Sequence, residues 1–243
     1  MLDEFSCGPL MNDVDVTKLP DLNDLNGPLA RRVHTVVKSA ILSLDFLPGE
    51  MIRKSDVCEQ LGVSRSPVSE ALAKLSNEGL VDIVPQSGTR VVRLSMAAIR
   101  EDSFLREALE VAAVRHAAIH RSEETLGRLT RNLEMQKLLI NGADKEEFIR
   151  TDVAFHEVIM ATTKIKRLPA TVQSVSRHLD RARLLPLPEP GRLEETVSEH
   201  IEILEAIREQ DAEAAQDAMR RHVRQLLVRL GPLETARSDL FST

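Results

Sequence analysis

From Ser95 to about residue 230 the apolar residues recur at helical spacing, and no strand pattern interrupts them. So long a stretch cannot be a single helix, and breaks fall at Asn141-Gly142, Pro169, residues 186–191 and Gly231-Pro232. They predict six helices, over about 96–120, 122–141, 144–163, 168–185, 192–209 and 211–230. Helices of this length with short connections bury their apolar stripes against one another as an antiparallel bundle. The aromatic content agrees. At 2%, with no Trp and no Tyr, it argues against a β-sandwich and against a stacking platform for single-stranded nucleic acid.

The preceding 94 residues follow a different plan. Residues 1–27 mix Asp, Asn, Pro and Gly without a period and read as a flexible arm, with a short docking segment within 14–22. Pro28 suits a first helical position, and Leu29, Val33, Val36, Val37, Ala40, Ile41 and Leu44 follow at helix spacing until Pro48-Gly49. A short helix over 54–61 ends at Gly62. In the next helix Ser66 reads as the cap, Pro67 as the first residue, and Val68, Ala71, Leu72 and Leu75 as the buried stripe. After Gly79 come strand-like residues 80–84, a turn at Pro85-Gln86-Ser87-Gly88 and a second strand over 89–94. Three helices and a hairpin in so short a span make a winged helix-turn-helix. The expected fold is therefore mainly α, with the winged domain at 28–94, the helical bundle at 95–231 and a tail at 232–243.

The net charge of −6 argues against nucleic-acid binding until it is divided along the chain. Residues 1–27 carry one Lys against six acids, a net −5, and residues 95–243 carry 22 Lys/Arg against 25 acids, a net −3. Only 28–94 is basic, with nine Lys/Arg against seven acids, a net +2. On its third helix Arg65, Ser66, Ser69, Ala73 and Lys74 lie off the buried stripe as candidate DNA contacts, Arg65 foremost, and Arg90 sits in the wing. Taken alone, these residues would also suit the solvated face of any small helical domain. Cys7 and Cys58 are too few for a disulfide framework or a cysteine zinc site. No apolar run reaches membrane-spanning length and no signal peptide opens the chain, so a cytoplasmic location is expected.

The bundle holds a second constellation. Asp144-Lys145-Glu146-Glu147 reads as a capping-box start, and on that helix Asp152 and His156 share a face with Phe148, Phe155 and Ile159. His200 shares its face with Leu193, Val197, Ile203, Leu204 and Ile207, and His222 with Ala215, Ala218, Met219 and Leu226. With Asp211 as the cap of the last helix, the turn falls eleven residues after His200 and eleven before His222. Across an antiparallel pair they then lie level, roughly 16 Å from the turn. A single inward histidine is more often a packed core residue. One carboxylate and three imidazoles at matched height are instead a transition-metal set, suited to Zn first and to Ni, Fe or Mn. A helical metal enzyme is the rival class. His156-Glu157 begins the zinc-protease motif HExxH, but Met160 occupies the second histidine's place, and Glu157 and Glu199 are expected to point away from the ligands.

Residues 42–92, with PGE, LGVSRSPV, EAL, EGL and the Gly88 wing turn, resemble the N-terminal domain of GntR-family bacterial regulators. Residues 98–231 resemble the FCD effector domain of the FadR-like subgroup, with DVAFH carrying Asp152 and His156, EHIEILEAI carrying His200, and His222 following. The resemblance implies a homodimer on a palindromic double-stranded operator, and a bundle that holds a metal beside which a small carboxylate metabolite binds. Arg106 matches an arginine lining that pocket, although an ion pair with Glu110 one turn on would also account for it. Arg177, His178, Arg181 and Arg183 are the nearby basic residues from which one arginine could reach the ligand. Two positions depart from the pattern: Ser69 stands where the family usually has a DNA-contacting Arg, and Lys54 where it usually has an acid. A regulator whose metal is purely structural, with no small effector, is the alternative.

Overall fold

The computed structural model describes residues 19–23, 25–84, 88–140, 145–186 and 189–242, with backbone alone at 145, 146 and 177. The arm before residue 19, the turn at 85–87 and the Asp144 cap lie outside these. The chain divides between Val92 and Arg93 into two compact units.

In the first unit α1 (Leu29–Leu42) buries Val33, Val36, Val37, Ala40 and Ile41, the alternating three- and one-residue steps of a single helical face. After α1 a two-residue strand, β1 (Met51–Ile52), leads into α2 (Lys54–Leu61). Gly62 ends α2 in the left-handed region (φ 64°), with Gly62 N–H bonded to Glu59 O and Val63 N–H to Cys58 O. The reading helix α3 (Arg65–Asn77) begins two residues before the expected Pro67, with Ser64 rather than Ser66 at its cap. Pro67 thus occupies the third helical position, where its missing N–H removes no intrahelical bond. Gly79 (φ 72°) closes α3 by the same pairing, Gly79 N–H to Ser76 O and Leu80 N–H to Leu75 O.

The wing is β2 (Val81–Val84) antiparallel to β3 (Gly88–Val91), in the register Val81↔Val91 to Val84↔Gly88. β1 adds to the other edge of β3, giving the order β1-β3-β2, a third strand too short to read from the sequence. The unit's core joins Val33, Val37, Ile41, Ile52, Val57, Val68, Leu72, Leu75, Val81 and Val91. Leu19 and Leu22, ahead of α1, are buried in the same core.

The second unit holds seven α-helices among its described residues. They are α4 (Met96–Ile119), α5 (Glu123–Leu139), α6 (Lys145–Ala161), α7 (Leu168–Val175), α8 (Arg177–Ala182), α9 (Arg192–Arg208) and α10 (Ala212–Ala236). Ser95, Ser122 and Asp211 cap α4, α5 and α10 by accepting from first-turn amides. The helix expected over 168–185 is two. At Ser176 the hydroxyl donates back to Val172 O at 2.7 Å, and the backbone leaves helical dihedrals. α10 runs through Gly231-Pro232 to Ala236 instead of stopping at 230. The following residues are ordered against the bundle: Leu94 N–H bonds Leu240 O, Ser242 N–H bonds Leu94 O, and Leu240 and Phe241 are buried.

α10 packs along α4 and α9, while α5 packs on α6 and α9. The shared core of Val114, Leu129, Leu133, Phe155, Ile159, Ile203, Ile207 and Met219 surrounds the centre where α6, α9 and α10 meet.

Candidate metal centre and nucleic-acid interface

Helical spacing places Asp152 and His156 one turn apart on α6, and the Asp211 cap sets His200 of α9 level with His222 of α10. The four side chains meet. One ligand atom from each lies within 4.8 Å of all the others, and the three histidines are buried. His222 Nε2 stands 3.1 Å from His156 Nε2 and 3.3 Å from His200 Nε2, with Asp152 Oδ1 3.5 Å from His200 Nε2.

The opposite ring nitrogens decide what those Nε2 atoms are. His222 Nδ1 donates to Glu199 Oε2 at 2.7 Å, and His156 Nδ1 lies against Glu110 Oε2, although neither of those last two atoms has a partner in hydrogen-bond geometry. His200 Nδ1 meets Gln136 Oε1 at 2.9 Å. An amide could in principle be turned round, but here a chain of bonds fixes it. Gln136 Nε2 donates to Asn132 Oδ1 (2.7 Å), and Asn132 Nδ2 donates to the Thr151 carbonyl (2.9 Å), which can only accept. In their neutral forms His200 and His222 therefore carry the proton on Nδ1 and turn an Nε2 lone pair inward, and the Arg106 guanidinium, which can only donate, requires a lone pair at His156 Nε2 as well. Three lone pairs and a carboxylate converging on one point repel one another unless a cation lies among them. The donor set of one oxygen and three nitrogens, each imidazole held by an acceptor, fits a divalent transition metal.

The electrostatics agree. Burial raises the Asp152 carboxyl, but the facing His156 and His200 rings and the Arg183 guanidinium outweigh it and hold the group well below its usual range. Glu110 is likewise held low against burial, by Arg106 and His156. Burial pulls the His222 imidazole down to about 3, and burial with the neighbouring His222 ring pulls His200 well below the ordinary value. Burial pushes Glu199 up to about 7.

Two cavities flank the centre. One, of about 90 Å³, is lined by Arg106, Asp152, His156, Glu157, Arg183 and apolar residues including Met160 and Val172. The other, of about 60 Å³, has Arg106, Asp152, Arg183, Arg192 and His222 among its lining. Arg106, buried, pairs with Glu110 and also lies 3.3 Å from His156 Nε2 at the lining of both cavities. Of the basic residues on the following helix, Arg183 reaches the site, 3.4 Å from Asp152 Oδ2. Arg181 is buried but lines neither cavity, His178 pairs with Asp102 Oδ2 at an exposed position, and the Arg177 side chain lies outside the described residues.

Several members of the site were not foreseen. Glu157 lines the larger cavity, and Glu199, though it does not face the metal position, reaches across to His222 from its own helix. Gln136 sits three residues after Leu133 on the stripe of Leu126, Leu129 and Leu133, and a polar residue on that buried face was the available signal. Arg192, beside the proline stretch, gave none.

In the winged unit Arg65 is exposed at the first residue of α3, and Ser66, Ala73 and Lys74 are exposed along it. Ser69 is half-buried, and exposed Arg90 donates to Gly49 O from β3. Arg65 shares with Arg53, Lys54 and Ser55 an open cleft of about 650 Å³ against the wing. Among the described residues no carboxylate pairs with Arg53, Lys54, Arg65 or Lys74. The sequence reading had not placed Arg53, Lys54 and Ser55 on this face.

A winged helix-turn-helix joined to a helical bundle with a buried polar centre defines a two-domain regulator of transcription rather than an enzyme. The chain belongs to the gntR family of bacterial regulatory proteins: the model of that family matches residues 29–91, and the FCD domain model matches residues 103–225. An HTH-type transcriptional regulator in an unstable DNA locus of Streptomyces ambofaciens is 33% identical over 219 residues, 90% of this chain and 92% of that one. The HTH-type transcriptional repressor RspR of Escherichia coli is 28% identical over 215 residues, 88% and 94% of the two chains. Among solved structures, E. coli McbR/YncC shares the fold at a TM-score of 0.64 and 21% identity, covering 86% of this chain and 99% of that one. A GntR regulator from Rhodococcus sp. RHA1 does so at 0.65 and 22%, covering 83% and 96%.

Gln136→Leu removes the acceptor that orients His200, so metal affinity in competition with a chelator should fall about 10- to 100-fold, whereas Gln136→Glu should retain most of it. Native affinity in a folded Gln136→Leu variant would remove the amide chain from this account. The metal-free protein should also lose stability in acid. The unfolded chain protonates both histidines near pH 6.5, while the folded chain refuses the His222 proton down to about 3, so protons favour unfolding below pH 6.5. Glu199, pushed up to about 7, binds a proton on folding over the same interval and offsets much of this loss, so unfolding free energies from urea titrations at pH 7.5 and 5.5 should differ by about 1 kcal/mol. Bound metal should suppress the difference.

Proposed function

We propose that this chain is a cytoplasmic, ligand-responsive regulator that binds a palindromic operator as a homodimer and senses a small carboxylate through a metal-assisted pocket. The observation supporting the sensor is the meeting of three inward Nε2 atoms and Asp152 at the edge of cavities that also hold Arg106 and Arg183. Asp152, His156, His200 and His222 would hold the metal, with zinc the best match to the donors and nickel, iron or manganese also suited. When bound, it supplies a Lewis acid beside the cavity that can take an effector oxygen. Arg106, its charge balanced by Glu110, and Arg183, shared with Asp152, then orient the carboxylate by charge-assisted hydrogen bonds. On DNA, Arg65, Ser66, Ser69 and Lys74 of α3 would enter the major groove, with Arg90 following the backbone from the wing. The effector changes operator affinity only to the extent that it binds one conformation of the bundle more tightly than another.

Metal analysis of the purified protein should find about one transition metal per chain, and His200→Ala should lower that content sharply; full occupancy in the variant would sink the centre. Arg65→Ala should weaken operator binding by about 1–3 kcal/mol in a fluorescence anisotropy titration. Undiminished affinity would refute the assignment of α3 as the reading helix.

A further inference from the structure

The smaller cavity carries a group that the carboxylate site does not use. Arg192, at the first turn of α9, points a buried Nη1 that finds no hydrogen-bond acceptor. Its nearest carboxylate oxygen, Glu199 Oε1, is 3.9 Å away, beyond hydrogen-bond range, and only 12% of the side chain is exposed. A guanidinium nitrogen is rarely buried without an acceptor, because it has given up water and gained nothing in return. Arg106 and Arg183, by contrast, have carboxylate partners in Glu110 and Asp152.

The surroundings show what is missing. Arg192 lines the same cavity as His222, Asp152, Arg106 and Arg183, so the space runs from the candidate metal ligands to the guanidinium whose Nη1 has no acceptor. Between those polar ends the walls are Phe148, Val223 and Leu226, which suit a carbon skeleton. About 60 Å³ here and 90 Å³ in the adjoining cavity limit the occupant to a small molecule.

We infer that the effector is a short organic di-acid, with one carboxylate at the metal end beside Arg106 and Arg183 and the second held by Arg192. This rests on the reading of the bundle as a carboxylate sensor and adds the ligand's second anchoring group. A mono-acid fills only the first position and leaves Arg192 unsatisfied.

The test compares acetate with succinate on the full-length, metal-loaded protein by calorimetry and thermal shift, with metal content checked after each titration. Succinate should bind native protein at least tenfold more tightly than acetate. Arg192→Gln should abolish that advantage while leaving acetate affinity unchanged, and Arg192→Lys, which keeps the charge, should retain part of it. Equal affinity of the two acids for native protein would overturn the second anchor while acetate binding kept the sensor reading intact. An equal loss of acetate and succinate binding in Arg192→Gln would overturn it too, by placing Arg192 at the first carboxylate. Binding of neither acid would overturn the sensor reading and this inference together.

Discussion

The bundle is organised around three imidazoles whose outer nitrogens are all occupied. Glu110, Gln136 and Glu199 each hold one Nδ1, and the consequence is that three Nε2 lone pairs face a common point within 3.1 and 3.3 Å of His222 Nε2. Buried polar groups are tolerated when satisfied, and the inner nitrogens of His200 and His222 face other acceptors rather than donors. A cation at their centre would convert mutual repulsion into ligation, and by binding the folded state alone would stabilise it by mass action. The apolar core around the site, with Phe155 stacked 4.2 Å from the His200 ring, keeps water from screening either effect. Helix packing, tautomer choice and metal affinity are therefore one problem, solved by the same side chains.

The same residues connect the pocket to the rest of the chain. α4 supplies Arg106 and Glu110 from its middle and begins at Met96, four residues after the winged unit ends at Val92. α10 supplies His222 and is followed by Leu240, Phe241 and Ser242, which bond and pack at Leu94. Two of the helices that line the site thus converge on residues immediately after the boundary between the units. A ligand that favours one packing of α4 against α10 has a covalent route to the reading head. Close packing would transmit such a shift because cores have alternative arrangements rather than continuous give.

Much of this was legible in the sequence, and the residues that were not share physical reasons. Asp152, His156, His200 and His222 could be phased because strong helical periodicity surrounds each of them, and the Asp211 cap set their heights. Tertiary partners carry no such mark. Glu199 was judged by its own helix face, yet it acts on a histidine of the neighbouring helix. Gln136 depended on a chain through Asn132 to a carbonyl on α6, which no local pattern encodes. Local breaker rules failed in both directions. Gly231-Pro232 did not stop α10, whereas Ser176, with no breaker residue, divided the helix before the proline stretch. β1, at two residues, lies below the length at which alternation can be seen.

Net charge was a poor guide to the DNA face for a related reason. Most arginines at the surface of the bundle are spent on neighbours: Arg224 on Glu107, Arg220 on Asp217, Arg237 on Asp239, Arg100 on Glu234. In the winged unit Lys38 is similarly paired with Glu78, while Arg53, Lys54, Arg65 and Lys74 face solvent without carboxylate partners. Phosphate attraction depends on unneutralised cations within about 10 Å, since salt screens charges further away. A unit with an excess of only +2 can therefore present cations without carboxylate partners among the described residues, although exposed Asp56 and Glu70 lie on the same two helices. Lys54 and Arg53 beside Arg65 also bear on the absence of an arginine at Ser69. Positive charge missing from the middle of α3 is present at the start of α2, on the cleft that Arg65 shares with the wing.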